Sequence, residues 1–295
     1  MTVLVAGGAA DPSLRALLAA LSRRGTAHTA LLVGPDSHPG LSWDLQTDAL
    51  RLDGRRVSPT AVFLRHDVFT HQQDGRKASA RRARGWFAAV KGWALAHPSV
   101  RLLNRHGPGA ANKLAALRLA AACGLDVPQT RVDNTLGGLD GFLPGQQRVA
   151  KPVAGGGLCR PLDEDSLTAR SRGGVLPTPA IVQQRLVPPE LRVYRVGERL
   201  LGYQLSSPSL DYREKQDARL APVPVPSPIA RGLVALAQQL RLDWLAADFK
   251  TDPRTGRLCF LEVNTAPMFA AFDHVDGGRL ADALVEALAY SPSQR

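Results

Sequence analysis

Residues 245–264 read LAADFKTDPRTGRLCFLEVN, two apolar runs joined by a short polar segment. The joining segment, residues 251–257, contains an Asp-Pro pair and a late glycine, which are typical of a turn between antiparallel strands. A hairpin of this kind brings Asp248 on the first strand beside Glu262 on the second. Because strand side chains alternate between faces, Asn264 points to the same face as Glu262. The segment therefore predicts two carboxylates and an amide together on one face of a sheet.

Oxygen ligands of this kind suit one or two Mg²⁺ ions that also hold the phosphates of a nucleotide, with Mn²⁺ as an alternative metal. Asp248 and Glu262 lie among Ala, Phe, Leu and Val, where an unpaired carboxylate is costly to bury. A positive group must therefore face them, and a metal ion is one candidate. The alternative is that both are strand-end acids paired with some of the chain's many arginines.

Length and composition favour a soluble protein of two or three compact lobes. The chain has 295 residues, too many for one small core. No run approaches the roughly eighteen apolar residues of a membrane span, and residues 1–8 have no basic leader and are predicted to be a strand. Three widely spaced cysteines are expected to be reduced thiols. We therefore expect a cytoplasmic protein without a membrane partner.

The net charge of +11 favours an anionic partner such as a nucleotide, a nucleic acid or an acidic peptide. Aromatic residues are few and do not interleave with the basic ones, so a nucleic-acid-binding surface is not expected. The one dense basic run, residues 76–84, precedes Trp86 and Phe87. This run is either the solvated face of a helix or a docking patch for an acidic substrate.

Residues 1–100 are predicted to form an α/β domain with a parallel sheet. Residues 3–6 and 31–33 are short apolar strands on either side of a helix that begins near Pro12, with Asp11 as its cap. The order strand, helix, strand implies a parallel pair.

The rest of the chain is predicted to form two α+β lobes, residues 101–185 and residues 186–295. The first contains a helix at 113–123 and a strand at 148–153. The second contains a hairpin centred on Gly197, followed by the acidic hairpin described above.

Two lysines lie where anions are favoured. Lys151 ends a strand just before Gly155 and Gly156, and glycine lets backbone N–H groups approach phosphate oxygens. Lys113 follows a glycine turn and opens a helix, another favourable place for an anion. Each lysine alone is more often a solvated surface cation. Together with the acidic hairpin they indicate a nucleoside triphosphate, although the chain contains no P-loop motif.

Gln183, Gln184, Arg185 and Leu186 lie at a junction between a strand and a loop. An extended backbone there could pair with the edge of an adenine, and Glu190 could hold a ribose hydroxyl. The alternative is simply a strand and its exit loop.

Arg192 and Arg213 are candidate clamps for a transferring phosphoryl group and an acyl oxygen. The seven histidines are scattered and lack ligand spacing, and no Ser, His and Asp arrangement indicates a nucleophile. Charge stabilisation rather than covalent catalysis is therefore the chemistry that the sequence favours.

The order of these features resembles the ATP-grasp superfamily, specifically the branch that contains the ribosomal-protein glutamate ligases. The matching segments are residues 112–113, 149–152, 183–186, 190–197, 211–213, 248 and 260–264. The resemblance covers roughly residues 100–290, and residues 1–100 resemble the α/β domain that precedes this fold in the family. The chain departs from the family at Met268, where relatives usually carry a glycine.

The resemblance implies an ATP-grasp fold, in which ATP lies in a cleft between two α+β lobes. It also implies that Lys113 and Lys151 contact the phosphates, that residues 183–186 contact the adenine and that Glu190 contacts the ribose. The predicted metal ligands would hold Mg²⁺.

The implied reaction is an ATP-dependent carboxylate–amine ligation. A substrate carboxylate attacks the γ-phosphate, giving an acyl phosphate and ADP, and an amine, or less often a hydroxyl or thiol, then displaces phosphate. Arg192 and Arg213 would stabilise the developing charge, while residues 155–157 would close over the phosphates. The carboxylate would belong to an amino acid, a peptide or a carrier-bound metabolite, and an acidic substrate would suit the basic chain.

Two further interpretations stay open. One is a peptide maturase that links side chains of a ribosomal precursor by ester or amide bonds. The other is a nucleotide-binding scaffold without turnover, which the retained lysines and acids argue against. The sequence leaves the acceptor open, and it is compatible with a homo-oligomer.

Overall fold

The computed structural model describes residues 1–34, 37, 39–69, 75–153, 159–207 and 218–290. The first third of the chain contains β1 (Thr2–Gly8), α1 (Pro12–Arg23), β2 (Ala27–Val33), β3 (Leu41–Asp44), β4 (Ala49–Leu52), β5 (Arg55–Arg56), β6 (Ala61–Leu64), α2 (Lys77–Ala96) and β7 (Arg101–Leu102). Four of these strands form a parallel sheet in the order β2-β1-β6-β7, which confirms the predicted parallel unit. A small antiparallel sheet, β3-β4-β5, was not predicted.

The carboxylate of Asp11 both caps α1 and binds the end of the neighbouring strand. Its Oδ1 accepts a hydrogen bond of 2.8 Å from the backbone N–H of Ser13, as predicted for the N-terminus of this helix. Its Oδ2 accepts a second bond, of 2.6 Å, from Nε of Arg65, just beyond β6. Because Asp11 and Arg65 are both buried, the pair fixes the start of α1 against the carboxyl end of the sheet.

The central part of the chain forms an antiparallel sheet in the order β10-β9-β11-β8. Its elements are α3 (Lys113–Ala122), β8 (Thr130–Thr135), α4 (Leu136–Asp140), β9 (Arg148–Pro152), β10 (Arg160–Pro161), α5 (Glu164–Arg170) and β11 (Val175–Gln184). Leu139, Leu176 and Val182 form the small core of this sheet. Helix α3 packs instead on the C-terminal sheet, where Ala116 and Ala120 are buried.

The last third of the chain forms a five-stranded antiparallel sheet in the order β14-β13-β12-β15-β16. Its elements are β12 (Val187–Val196), β13 (Arg199–Ser206), β14 (Arg219–Val223), α6 (Ser227–Gln239), β15 (Trp244–Thr251), β16 (Leu258–Asn264), α7 (Ala270–Val275) and α8 (Arg279–Ala289). Both predicted hairpins, β12–β13 and β15–β16, are confirmed.

The two faces of the C-terminal sheet have different partners. On one face Val193, Ala247 and Phe249 pack against α3 and α6. On the other face Tyr194 and Trp244 join a core that reaches α1 and α8. This second face is apolar only at the Trp244 end of β15, so its other end is available for polar side chains.

The segment after β16 is held against the N-terminal domain by Arg65. Its Nη1 donates to the carbonyl of Pro267 at 2.6 Å and to that of Ala266 at 3.1 Å, and Nη2 contacts the sulfur of Met268. The carbonyl of Met268 accepts a further bond from the hydroxyl of Tyr194. Met268 therefore fills a structural position between the N-terminal domain and the C-terminal sheet. No helix among the described residues is long and apolar enough to cross a bilayer.

Candidate active site

Three adjacent strands of the C-terminal sheet place five charged side chains on one face. Arg192 of β12 lies opposite Asp248 of β15, which in turn lies opposite Glu262 of β16. Two residues further along, Glu190 lies opposite Lys250. Because residues that are opposite, or two apart on one strand, share a face, these groups form a single charged platform. The sequence predicted the pairing of Asp248 with Glu262, and the register confirms it.

The Asp248 carboxylate contacts a cation from β12. Nε of Arg192 lies 3.5 Å from Oδ1 of Asp248, and the Arg192 side chain is only 9 % exposed. The guanidinium also lies over two aromatic rings, 5.5 Å from the centroid of Tyr194 and 5.3 Å from that of Phe272. Arg192 is therefore held rigidly at the edge of the platform, where the predicted clamp for a phosphoryl group would be needed.

The Glu262 carboxylate contacts a cation from the central part of the chain. Nζ of Lys113 lies 3.2 Å from Oε2 of Glu262. Lys113 is the first residue of α3, and the side chain of Asn112 caps this helix by accepting from the N–H groups of Leu114 and Ala115. The structure thus brings a predicted phosphate ligand and a predicted metal ligand into direct contact.

A β-bulge in β16 makes this arrangement possible. Asp248 pairs with Glu262, but the next residue, Phe249, pairs with Phe260, which leaves Leu261 as an extra residue. In a regular strand Phe260 and Glu262 would share a face. The bulge instead lets Phe260 pack in the core against Phe249, with ring centroids 5.7 Å apart, while Glu262 faces the platform.

Asn264 follows Glu262 on the same strand and lies opposite Ala246. Its Oδ1 accepts a bond of 3.0 Å from the backbone N–H of Ala266, which orients the amide. The described residues contain no cluster of three or more His, Cys, Asp or Glu side chains, so the candidate metal site consists of two carboxylates and one amide oxygen. An all-oxygen set of this size fits Mg²⁺ or Mn²⁺ when nucleotide phosphates complete the coordination.

Lys250 is a member of the platform to which the sequence assigned no role. Its Nζ lies 2.6 Å from Oε1 of Glu190, and both side chains are largely buried. Glu190, the predicted ribose ligand, is therefore oriented by an ion pair. Lys250 could have been found by counting two residues on from Asp248, because that spacing places it on the same face.

Lys151 of β9 approaches the platform from the central sheet. Burial lowers the pKa of Lys151 below its ordinary value, and the ammonium groups of Lys113 and Lys250 act in the same direction. Cys159 and Glu262 oppose this shift. The four charged groups are thus close enough to interact, and three of them are lysines, so an anion between the two sheets would be stabilised.

Gln183 of β11 lies on the same sheet face as Lys151. It pairs with Val149, two residues before Lys151, and its Nε2 donates to the hydroxyl of Thr130 at 2.9 Å. Its Oε1 is buried and has no hydrogen-bond partner among the described residues. A buried acceptor without a partner is costly, so this oxygen is a suitable contact for a donor on a ligand.

The other residues of the predicted adenine segment have partners within the protein. Gln184 donates to Asp252, in the turn of the β15–β16 hairpin, and Arg185 donates to Gln147, each at 2.8 Å. Leu186 is buried. The side chains of Gln184 and Arg185 therefore connect elements of the protein, and their backbone N–H groups donate to the carbonyls of Gln129 and Gln147. Their contacts with adenine stay predictions.

Three predicted site residues, Gly155, Gly156 and Arg213, lie outside the described residues. Their assigned contacts with phosphate and acyl oxygens stay predictions.

No family model matches this chain, and a comparison with curated proteins found no match. Solved structures do match over almost the whole length. The ATP-grasp ligase PsnB, complexed with a minimal precursor, Mg and ADP, gives a TM-score of 0.74 at 21% identity over 98% of both chains. The macrocyclase MdnC from Microcystis aeruginosa MRC, bound with the precursor peptide MdnA, gives 0.77 at 20% identity over 99% of this chain and 100% of that one.

A third neighbour is the RimK domain protein ATP-grasp from Sphaerobacter thermophilus DSM 20745. Its TM-score is 0.55 at 17% identity, over 98% of this chain and 100% of that one. In all three comparisons the agreement extends over 98% or more of this chain. The chain has the ATP-grasp fold.

Proposed function

We propose that the protein is an ATP-dependent ligase that activates a carboxylate as an acyl phosphate and transfers the acyl group to an amine, releasing ADP and phosphate. The observation that carries this proposal is the charged platform. Asp248 and Glu262 lie side by side, each beside a cation, and Lys151 faces them from the other sheet. This combination supplies both a site for a divalent cation and the positive charge that a triphosphate needs.

Asp248, Glu262 and Asn264 would hold one or two Mg²⁺ ions. A metal held there would supply positive charge to neutralise the charge that develops during phosphoryl transfer. Lys113 and Arg192 now contact the two carboxylates, and both are within reach of a phosphate held beside them. The change of partner costs little because the carboxylates gain the metal as the cations gain phosphate oxygens.

The nucleotide would extend from this platform along the inner face of the central sheet. Lys113 and Lys151 are placed to contact the phosphates, Gln183 offers a buried acceptor to the amino group of adenine, and Glu190 is held ready for the ribose. Gly155 and Gly156, in the segment between β9 and β10, would cover the phosphates and exclude water that hydrolyses an acyl phosphate.

Arg192 would stabilise the oxygens of the transferring phosphoryl group. Its guanidinium lies over two aromatic rings, which would keep it in position while its partner changes from Asp248 to a phosphoryl oxygen. Arg213 would act on the acyl oxygen. The cleft aligns the carboxylate with the γ-phosphate, and this alignment, together with charge stabilisation, is most of what phosphoryl transfer requires.

A peptide is the substrate class that the structural neighbours favour. PsnB and MdnC are each described in complex with a precursor peptide, and a third ATP-grasp ligase, from Chryseobacterium gregarium, is described with a leader and core peptide. The net charge of +11 suits an acidic peptide. A maturase that links side chains of one peptide by amide or ester bonds is therefore the second candidate function. We also propose a cytoplasmic location, since Cys123, Cys159 and Cys259 are free thiols.

The experiment is a measurement of ADP release with ATP and Mg²⁺ in the presence of carboxylates and amines, including glutamate-rich peptides. A ligase gives ADP only when an acceptable carboxylate is present, and product mass increases by the acceptor minus water. If no carboxylate or peptide led to ADP release, a scaffold that binds nucleotide without turnover would be favoured.

A further inference from the structure

A cavity lies between the N-terminal part of the chain and the Trp244 end of the C-terminal sheet. Its volume is about 370 Å³, and its walls include the rings of Phe63, Phe87 and Trp244. It opens at the carboxyl ends of β6 and β7, which is where parallel α/β sheets bind their ligands. Cavities of this size accommodate small ligands or a few side chains. We call it the interdomain cavity.

The interdomain cavity is connected to the candidate metal site through the chain. Thr265 and Ala266, which immediately follow Asn264, form part of its wall. The backbone N–H of Ala266 is bound to Asn264 Oδ1, and the hydroxyl of Thr265 is bound to the carbonyl of Gly109 at 2.9 Å. The cavity wall is therefore bonded directly to one candidate metal ligand.

Asn104, another lining residue, fixes the positions of Trp244 and Thr265 in the cavity wall. Its Nδ2 donates to the carbonyls of Trp244 at 2.6 Å and of Thr265 at 3.1 Å, and its Oδ1 accepts from the N–H groups of Asp243 and Trp244. These bonds connect the end of β7 to both strands of the acidic hairpin. The cavity is thus preformed.

The lining of the interdomain cavity is basic and contains no acidic side chain among the described residues. Its basic side chains are Arg65, His66 and Lys91. Arg65 is already bound to Asp11 and to the carbonyls of Ala266 and Pro267. Lys91 is therefore the cation available to a ligand, with the His66 ring beside it as a polar partner.

Lys91 and His66 both lie beside the ring of Phe87. Nζ of Lys91 is 5.7 Å from the ring centroid, and the His66 ring is 5.6 Å from it. Within the part of the chain that the structure describes, Lys91 makes no hydrogen bond or ion pair. An ammonium group on an apolar wall without an anion is an attractive position for a carboxylate, because the aromatic surroundings strengthen the ion pair.

We propose that the interdomain cavity binds an acidic side chain of the peptide substrate, distinct from the carboxylate that is activated, and that Lys91 is the residue that recognises it. His66 lies within the same recognition surface, while Phe63 and Trp244 contact a neighbouring apolar side chain. This inference rests on the proposed function. It makes Lys91 a specificity-determining residue outside the nucleotide and metal sites.

The test uses calorimetric titration of the full-length protein saturated with AMP-PNP and Mg²⁺. The probes are the peptide acetyl-Leu-Glu-Ala-Glu-Leu-amide and its isostere with glutamine in place of both glutamates. Lys91→Met keeps the aliphatic stem but removes the charge, and Lys91→Arg keeps the charge. Arg231→Met is the matched control, because Arg231 is exposed on α6, which does not line the cavity, and its loss changes the net charge equally.

We expect Lys91→Met to weaken binding of the glutamate peptide by about tenfold, with Lys91→Arg largely restoring it and Arg231→Met leaving it unchanged. The glutamine peptide should bind wild type and Lys91→Met equally weakly. Equal binding of the glutamate peptide by wild type and Lys91→Met, or no binding by either, would overturn the inference. Binding of AMP-PNP, measured first, separates the two proposals: its failure would contradict the proposed function itself.

Discussion

Asp248 lies directly opposite Glu262 on adjacent antiparallel strands, and each carboxylate contacts a cation from a different element. Arg192 of β12 lies 3.5 Å from the first, and Lys113 of α3 lies 3.2 Å from the second. Metal ligands and ion-paired acids were the two interpretations that the sequence allowed, and the geometry makes them compatible. A Mg²⁺–nucleotide complex brings both signs of charge, so each carboxylate and each cation can exchange its present partner for one in the ligand.

Loss of the ion pair between Glu190 and Lys250 should lower the stability of the protein strongly. Replacing Lys250 by Met leaves the largely buried Glu190 carboxylate unpaired, which should lower the free energy of unfolding by about 3 kcal/mol. Urea denaturation measures this quantity. The double variant Lys250→Met with Glu190→Gln should recover most of the loss, because no uncompensated charge is then buried. If Lys250→Met were as stable as wild type, Glu190 would already be solvated by water, and the prediction would be wrong.

If the buried Oε1 of Gln183 binds the base, it should favour adenine over guanine. Gln183→Leu removes the oxygen proposed to accept from the amino group of adenine, and should weaken binding of AMP-PNP by about fivefold to tenfold. Binding of GMP-PNP should change much less, since guanine has no amino group at the same position. Calorimetry with both nucleotides gives the comparison, and an equal loss for the two would place the base elsewhere.

The lowered pKa of Lys151 predicts that nucleotide affinity decreases at alkaline pH. Burial and the neighbouring lysines stabilise the neutral amine in the free protein, so affinity should begin to fall below the ordinary lysine pKa of 10.5. Lys151→Arg should keep its affinity over this range, because arginine stays charged. Lys151→Met should bind about tenfold more weakly near neutral pH and show a flatter profile. If the nucleotide affinity of wild type depended on pH in the same way as that of Lys151→Arg, Lys151 would not be a phosphate ligand with a lowered pKa.

The free energy of unfolding should depend on pH through His97, which lies away from the candidate active site. Its Nδ1 is 2.7 Å from the carbonyl of Trp93 and its Nε2 is 2.8 Å from Asp48, and these bonds raise the pKa of His97 above its ordinary value of 6.5. The pKa of Asp48 is lowered, chiefly by the same histidine.

The sign of this effect follows from the two shifts. The stabilisation by charged His97 is fully present below about pH 6.5 and is lost as the pH rises through the raised pKa in the folded protein. The Asp48 contribution is lost only in acid, as the pH falls through its lowered pKa. The difference in unfolding free energy between wild type and His97→Gln should therefore be larger near pH 6 than near pH 9. Asp48→Asn should reduce this pH dependence.

The sequence was sufficient to predict elements with strong local signals. The turn between residues 251 and 257 predicted the β15–β16 hairpin, and the preceding glycine turn placed Lys113 at the start of α3, where the structure has it. These predictions succeeded because turn residues, caps and apolar periodicity act over a few residues. The approach of Lys151 to the platform needed the family resemblance, since it depends on how two sheets pack.

Other features could not be read from local patterns. The bulge at Leu261 breaks the alternation between Phe260 and Glu262, and it accompanies the packing of Phe260 against Phe249 rather than any turn residue. The side-chain bonds of Gln184 to Asp252 and of Arg185 to Gln147 were not predicted either. Such contacts join residues far apart in the chain, so the sequence around each residue carries no signal for them.

The most direct test is calorimetric titration of AMP-PNP into wild type, Asp248→Asn and Glu262→Gln, with Mg²⁺ and again with EDTA. Glu198→Gln is the control, because Glu198 is 81 % exposed in the turn between β12 and β13. We predict that Mg²⁺ strengthens binding to wild type and to the control by about tenfold or more, and that this gain is lost in both platform variants. Undiminished Mg²⁺-dependent binding by Asp248→Asn and Glu262→Gln would contradict the assignment of these carboxylates as the metal site of an ATP cleft.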